Sequence, residues 1–346
     1  MKKVLALALT AAMALSMVAC GGSEPAAPAE PEAATYKVGM GIVVSETPAD
    51  ATADKDGSAQ INTTVALVTF DAEDKIVSAS IDVAQQTTKW DATGTVTGEP
   101  DLRTKLEKGP DYGMKAEWGS QIGEWFEQIA AFETWMVGKT FDEVVNMEFT
   151  TNAHDYTDTP ADEDLKAGCT ISMTAFLDAI KEAHENAVEV TGVAKVGLGS
   201  DVTATVASAT ADKEGSAQIN STWAGLALDE AGNIVHAVID TAQQTTKFGV
   251  DGVVTANADL RTKYEKGPDY GMKAEWGSQI GEWFEQIDAL TAWMTGKTVD
   301  AVVNMEFTTN AHDYADTPAD EDLKAGCTIS MTSFLAAIQQ AADSAK

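Results

Sequence analysis

Two stretches of this chain are near copies of two others. Residues 101–129 match residues 259–287 with one change, Leu106 against Tyr264. Residues 148–174 match residues 306–332 with one change, Thr157 against Ala315. The offset is 158 in both, since 264 − 106 and 315 − 157 agree. The front parts match more loosely: Lys37-Val38-Gly39 pairs with Lys195-Val196-Gly197, and residues 57–62 (GSAQIN) recur as residues 215–220. Solenoid units run to ~20–50 residues, so a period this long marks a duplicated domain. The expectation is one domain written twice in tandem, over residues 36–188 and 193–346, with only a few residues between.

Within the first copy, residues 36–44 and 59–70 are rich in β-branched side chains and alternate in part with period two. A turn at residues 71–75 separates the second run from a third at residues 76–86, and the second copy has Gly232-Asn233 at the same turn. Such a pattern predicts hairpin-linked strands. Residues 100–115, punctuated by Gly109-Pro110 and Gly113, read as mostly loop. Trp118, Ile122, Trp125, Phe126, Ile129, Phe132, Trp135 and Met136 recur at helical spacing, which predicts an amphipathic helix from Trp118 to about Val137, ended by Gly138. Thr140 is placed to cap a short helix through about Val145, and a last helix is expected from Met173 to about Asn186. Strands followed by helices give an α+β class, with helices packed on an antiparallel sheet.

The chain is strongly acidic, with a formal charge of −31 over 346 residues. A surface that negative repels nucleic acid and anionic lipid headgroups. Cys169 and Cys327 occupy equivalent positions and lack CxxC spacing, so they read as isolated buried thiols rather than a disulfide framework or zinc site.

The first residues carry a targeting pattern. Lys2 and Lys3 precede an apolar run, Val4 to Val18, too short to cross a bilayer comfortably at ~20 residues per span. Residues 15–20, Leu-Ser-Met-Val-Ala-Cys, resemble the lipobox of bacterial lipoprotein signal peptides, with Met17 where Leu is usual. The resemblance implies a signal over residues 1–19 and acylation at Cys20, which would anchor the chain to the extracytoplasmic face of the membrane. Residues 20–35, with Pro25, Pro28 and Pro31, form the lipidated Cys and a tether. Its residues 21–34, fully extended at ~3.1 Å per residue, would reach ~40 Å.

One short motif points to chemistry. Residues 164–172 read Asp-Leu-Lys-Ala-Gly-Cys-Thr-Ile-Ser and recur at residues 322–330. This resembles the flavin attachment motif of the FMN-binding domains in exported redox proteins, matching at Asp164, Gly168 and Thr170, and at Asp322, Gly326 and Thr328. Ala167 and Ala325 stand where that family has a hydroxyl residue, and Cys169 and Cys327 where it has Ala. The resemblance implies FMN joined to Thr170 and Thr328 through a phosphoester, made by a separate FMN transferase with Mg²⁺. A Thr just before a helix also places its hydroxyl near unpaired backbone N–H groups that favour a phosphate. The bland alternative is a helix-flanking Thr in a capping context.

Other groups are weaker. Trp118, Trp125 and Trp135, with Trp276, Trp283 and Trp293, have core spacing, though one could stack on an isoalloxazine ring. Asn152, His154, Asp155, Asp158, Asp162 and Asp164 form an acidic loop that could hold Ca²⁺, without EF-hand order. His154 and His312 are lone loop histidines. Gly39-Met40-Gly41 is a fragment with no phosphate loop behind it. Gln85-Gln86-Thr87-Thr88-Lys89, repeated at residues 243–247, could line a pocket or end a strand. GxSxG, HExxH, P-loop and CxxC are all missing from the sequence, so a redox carrier is favoured over an enzyme with its own substrate. The function implied is a membrane-anchored electron-transfer lipoprotein with one FMN per domain, between a membrane redox donor and an extracellular acceptor. The alternative is a surface solute- or metal-binding lipoprotein without flavin.

Overall fold

The computed structural model describes residues 34–346. The signal peptide and the lipidation at Cys20 lie outside the described residues, as does all but the end of the tether. The described chain is a mixed α+β structure built on two antiparallel sheets.

The first half opens with three long strands, β1 (Thr35–Ala49), β2 (Gly57–Phe70) and β3 (Ile76–Trp90), and a short β4 (Val96–Gly98). A single turn α1 (Lys105–Lys108), α2 (Trp125–Met136) and α3 (Phe141–Val145) follow. A two-residue ribbon pairs β5 (Phe149–Thr150) with β6 (Thr159–Pro160). Then come α4 (Glu163–Lys166), α5 (Thr174–Glu185) and β7 (Val188–Thr191), which returns to pair with β1.

The second half repeats this order. It comprises β8 (Lys195–Ala207), β9 (Gly215–Leu228), β10 (Ile234–Phe248), β11 (Val254–Ala256), α6 (Lys263–Lys266), α7 (Trp283–Met294) and α8 (Val299–Val303). It ends with β12 (Phe307–Thr308), β13 (Thr317–Pro318), α9 (Glu321–Lys324) and α10 (Thr332–Ser344). The sheet orders are β4-β3-β2-β1-β7 and β11-β10-β9-β8.

The expected hairpin turn is present. Asp71 Oδ1 accepts from the N–H groups of Glu73 and Lys75 at 2.9 Å each, and Asp74 takes a positive φ of 57°. In the second half Asp229 plays the same part and Gly232 takes the positive φ without strain. Thr140 caps α3 as expected, in a reciprocal pair with Glu143.

Each sheet is buried on both faces. Ala66, Val68, Phe70, Ile81 and Val83 face α2 and α5, with Phe132 and Ile180 in the same core. Burying side chains of this size contributes about 1.5–3 kcal/mol each. The contact with α5 is close. A Cβ on Gly39 would lie 1.9 Å from the Ala183 carbonyl, and one on Gly41 2.1 Å from the Ala179 carbonyl. The glycine pair thus lets a helix with alanines at those positions rest directly on β1. Gly197 and Gly199 do the same beneath Ala341 and Ala337 of α10.

The opposite faces meet each other. Met40, Ile42, Val65 and Leu67 share a core with Val196, Trp223 and Ala227, so the four layers run helix, sheet, sheet, helix. This seam is reciprocal. The N–H of Ala51 donates to Gly252 O at 3.0 Å, and that of Ala209, its equivalent, to Gly94 O at 2.7 Å. The equivalent rings of Trp90 and Phe248 stack on one another, 4.1 Å apart and 1° from parallel. Patches that meet their own equivalents are the mark of an isologous, two-fold interface.

The sequence expectation needs correction at two places. The helix expected from Trp118 begins only at Trp125: Gly119 takes a positive φ of 68°, and Glu124 closes the first turn with Glu127. Trp118 and Ile122 are therefore exposed loop residues, not core. Residues 100–115, expected as loop, contain α1 and a 3-10 turn (Gly109–Tyr112), because Thr104 and Glu107 cap one another.

Candidate functional site

The attachment-like motif forms the turn between α4 and α5. Asp164 sits in the first turn of α4, exposed, with its N–H donating to Asp162 Oδ1. Gly168 passes α2 so closely that a Cβ would lie 2.9 Å from Ala131 Cβ; the Gly326 figure is 2.8 Å from Ala289. Close approach, not a positive φ, is what these glycines supply.

Thr170 is half-buried and held through its backbone on both sides. Its N–H donates to Gln128 Oε1 at 2.9 Å, and its carbonyl accepts from Asn152 Nδ2 at 3.0 Å. Its hydroxyl has only a long contact to the same Gln128 oxygen, at 3.4 Å. Thr328 repeats this with Gln286 at 2.9 Å and Asn310 at 3.0 Å. A threonine whose backbone is pinned while its hydroxyl stays loosely bonded presents that hydroxyl in one place.

Gln128 is fully buried on α2. Its amide donates to Gly123 O at 3.0 Å and to Ser120 Oγ at 3.4 Å, which ties in the loop carrying Trp118. Asn152 folds its own loop: its Oδ1 accepts from the N–H groups of His154 and Tyr156. The two loops pinned to Thr170 thus carry Trp118, 56% exposed, and Tyr156, 55% exposed; Trp276 and Tyr314 are 60% and 57% exposed. Large aromatics this open, on both halves, are what a stacking surface requires. Sequence spacing points Trp118 and Trp276 to the core, and nothing local in the sequence marks Gln128, Gln286, Tyr156 or Tyr314. The i+42 partnership of Gln128 with Thr170 leaves no local signal.

The N-terminus of α5 is already filled. Asp158 Oδ2 accepts from the Thr174 N–H at 3.2 Å, from the Thr174 hydroxyl at 2.6 Å and from the Ser172 hydroxyl at 2.5 Å. Burial pushes the Asp158 carboxyl up, but these bonds outweigh it and hold it below the usual range. Asp316 caps α10 identically. The helix N-terminus therefore does not cradle a phosphate, and Thr170 is not its cap. Asp162 likewise caps α4 and accepts from Trp135 Nε1 at 3.2 Å. Among the described residues no group of three or more His, Cys, Asp or Glu is arranged to hold a metal ion. His154 and His312 are exposed.

Beside the turn lies a second repeated cluster. Lys105 Nζ sits over the rings of Tyr112 and Trp125, at 4.8 and 5.4 Å. Burial pushes its ammonium down to about 8, against the pull of Asp82. The Tyr112 hydroxyl, pushed up to about 12 by burial, donates to Gln85 Oε1 at 3.1 Å. Gln86 holds the carbonyls of Asp101 and Arg103. The Gln-Gln run is thus the inside of β3 gripping the next loop. Cys169 and Cys327 are free and buried, their thiols pushed up to about 11 and 12 by burial. Inert thiols are the result.

Comparison with protein-family models, with curated proteins and with solved structures finds no match for this chain.

Proposed function

We propose that this protein is a lipid-anchored extracytoplasmic electron carrier made of two tandem copies of one domain, with one FMN on Thr170 and one on Thr328. The observation that carries the reading is the duplicated turn: a backbone-pinned threonine with a loosely bonded hydroxyl, tied through Gln128 and Asn152 to loops that hold an open Trp and an open Tyr. The FMN would supply the electron-transfer chemistry. Thr170 would hold the phosphoester, Gln128 and Asn152 would fix the turn, and Trp118 and Tyr156 would offer faces for the flavin ring. With Asp158 seated at the α5 N-terminus, the phosphate would lie outside that helix end. A threonine hydroxyl is a weak nucleophile, so a separate transferase with Mg²⁺ and an activated FMN donor would make the bond.

The test is an intact mass and an in-gel flavin fluorescence image of protein made in a host that holds the transferase. Two added FMN groups, one lost in Thr170→Ala and the other in Thr328→Ala, are expected. Protein that leaves such a host unmodified and colourless would reject the reading.

A further inference from the structure

One charged group beside each threonine turn has no partner. Lys105 Nζ, half-buried over the rings of Tyr112 and Trp125, makes no hydrogen bond and no ion pair among the described residues. Asp82 acts on it from a distance but is engaged elsewhere: its Oδ1 accepts from the N–H groups of Val83 at 2.7 Å and Leu106 at 3.1 Å. The neighbouring cation, Lys108, donates to Gln85 O at 3.1 Å. A cation drawn partly out of water without a counterion is costly, and an incoming negative group would relieve that cost.

The ammonium shares a wall with the surface that flanks Thr170. Tyr112, one of the rings beneath it, meets the open Trp118 edge-on with 5.4 Å between ring centres, and lies close enough to Tyr156 for that phenol to act on its own. Trp125, the other ring, packs against Phe176 of α5 at 6.3 Å. It also stands about one helical turn before Gln128, which holds the Thr170 N–H. Lys263 repeats the arrangement, 4.8 Å from Tyr270 and 5.5 Å from Trp283. Tyr270 in turn lies 5.8 Å from Trp276 and feels Tyr314. In both halves the unpaired charge and the stacking faces therefore belong to one wall.

We infer that Lys105 and Lys263 stabilise the negative charge of the reduced flavin ring and so set the potentials of the two centres. This rests on the carrier reading above. Reduction brings two electrons from the membrane donor and one proton from water to the oxidised ring, and leaves one negative charge on its pyrimidine edge. The oxidised ring is neutral, so an ammonium beside that edge favours the reduced form and raises the potential. In a chain of net charge −31 the surrounding field works the other way, and a local cation offsets it. With the phosphate on Thr170 and the ring on Trp118 and Tyr156, the amine over Tyr112 stands on the side of the ring's own wall.

The Thr328→Ala chain, made in a host that holds the transferase, isolates the Thr170 flavin for a potentiometric titration with dithionite at pH 7. Lys105→Met keeps the stem without the charge and should lower the midpoint potential by about 30 mV, a tenfold change for a two-electron couple. Lys105→Arg, which keeps the charge, should recover most of that fall. Lys263→Met makes the same change of net charge at the other turn and should leave this potential in place. A Thr170 flavin indifferent to Lys105→Met, a fall that Arg does not recover, or an equal fall from Lys263→Met would overturn this inference and leave the carrier reading standing. A chain that leaves the host without flavin would reject both.

Discussion

The two ends of the seam share a backbone plan and differ in charge. At one end Gln340 Nε2 donates to Glu107 Oε1 at 2.7 Å across the halves. At the other, the equivalent residues are Glu182 and Glu265, a carboxylate facing a carboxylate, with Asp240 beside them. Burial pushes Glu182 up to about 7, helped by Glu265 and Asp240 and opposed by the Ile42 N–H. Burial also takes Asp240 up to about 7. A homodimer would be forced to repeat one end at the other. A single chain is free to neutralise one and leave the other acidic, and this one has done so.

The comparison breaks most completely at its centre. Trp90→Ala removes the ring stacked on Phe248 and the indole bond to Gly252 O at 2.9 Å. A loss of about 3–5 kcal/mol is expected in urea unfolding, with both ends loosened. A loss under ~1 kcal/mol would mean that the seam does not hold the halves.

Glu182→Gln gives the acidic end the amide of its counterpart. In the folded state Glu182 and Asp240 keep their protons to higher pH than in the unfolded chain. Their contribution is therefore fully present below about pH 4 and is lost as pH rises toward about 7. The substitution should flatten that slope and raise stability above pH 7 by about 1 kcal/mol, allowing for partial exposure. Unfolding series at pH 5 and pH 8 check this, and an unchanged slope would contradict it.

The reverse change, Gln340→Glu, sets a second carboxylate against Glu107. It should cost about 1 kcal/mol at pH 8 and less at pH 5, by the same measurement. Smallest is Tyr264→Leu, which removes the hydrogen bond from the Tyr264 hydroxyl to Asp288 Oδ1 at the second end and restores the residue found at Leu106. Tyr264 is 45% exposed, so a loss of no more than about 1 kcal/mol is expected in melting.

Much of one half was legible in the sequence because its signals are local. The turn at residues 71–75, the Thr140 cap and the last helix each rest on residues a few positions apart. Trp118 misled because it falls on the helical period of Trp125 and Ile129, while the glycines between interrupt the helix. The seam was not legible. Val65, Ala66, Leu67 and Val68 are all buried because β2 has a helix layer on one side and a sheet on the other, and a continuous apolar run does not say what covers it. At the threonine turn the motif itself was readable. What fixes it, Gln128 at 42 residues' distance and the Asp158 cap, depends on the folded chain.

The glycine pair of β1 has a mechanical side. Met40 and Ile42 of this strand face the seam, while Gly39 and Gly41 lie against the α5 backbone, with no side-chain layer between strand and helix. A close-packed interior yields little under load. One strand's thickness therefore separates α5, whose first residue stands four places from Thr170, from the opposite half of the protein. Helix and strand form a stiff plate rather than a cushion, and strain applied at the seam has nowhere to dissipate before it reaches the helix.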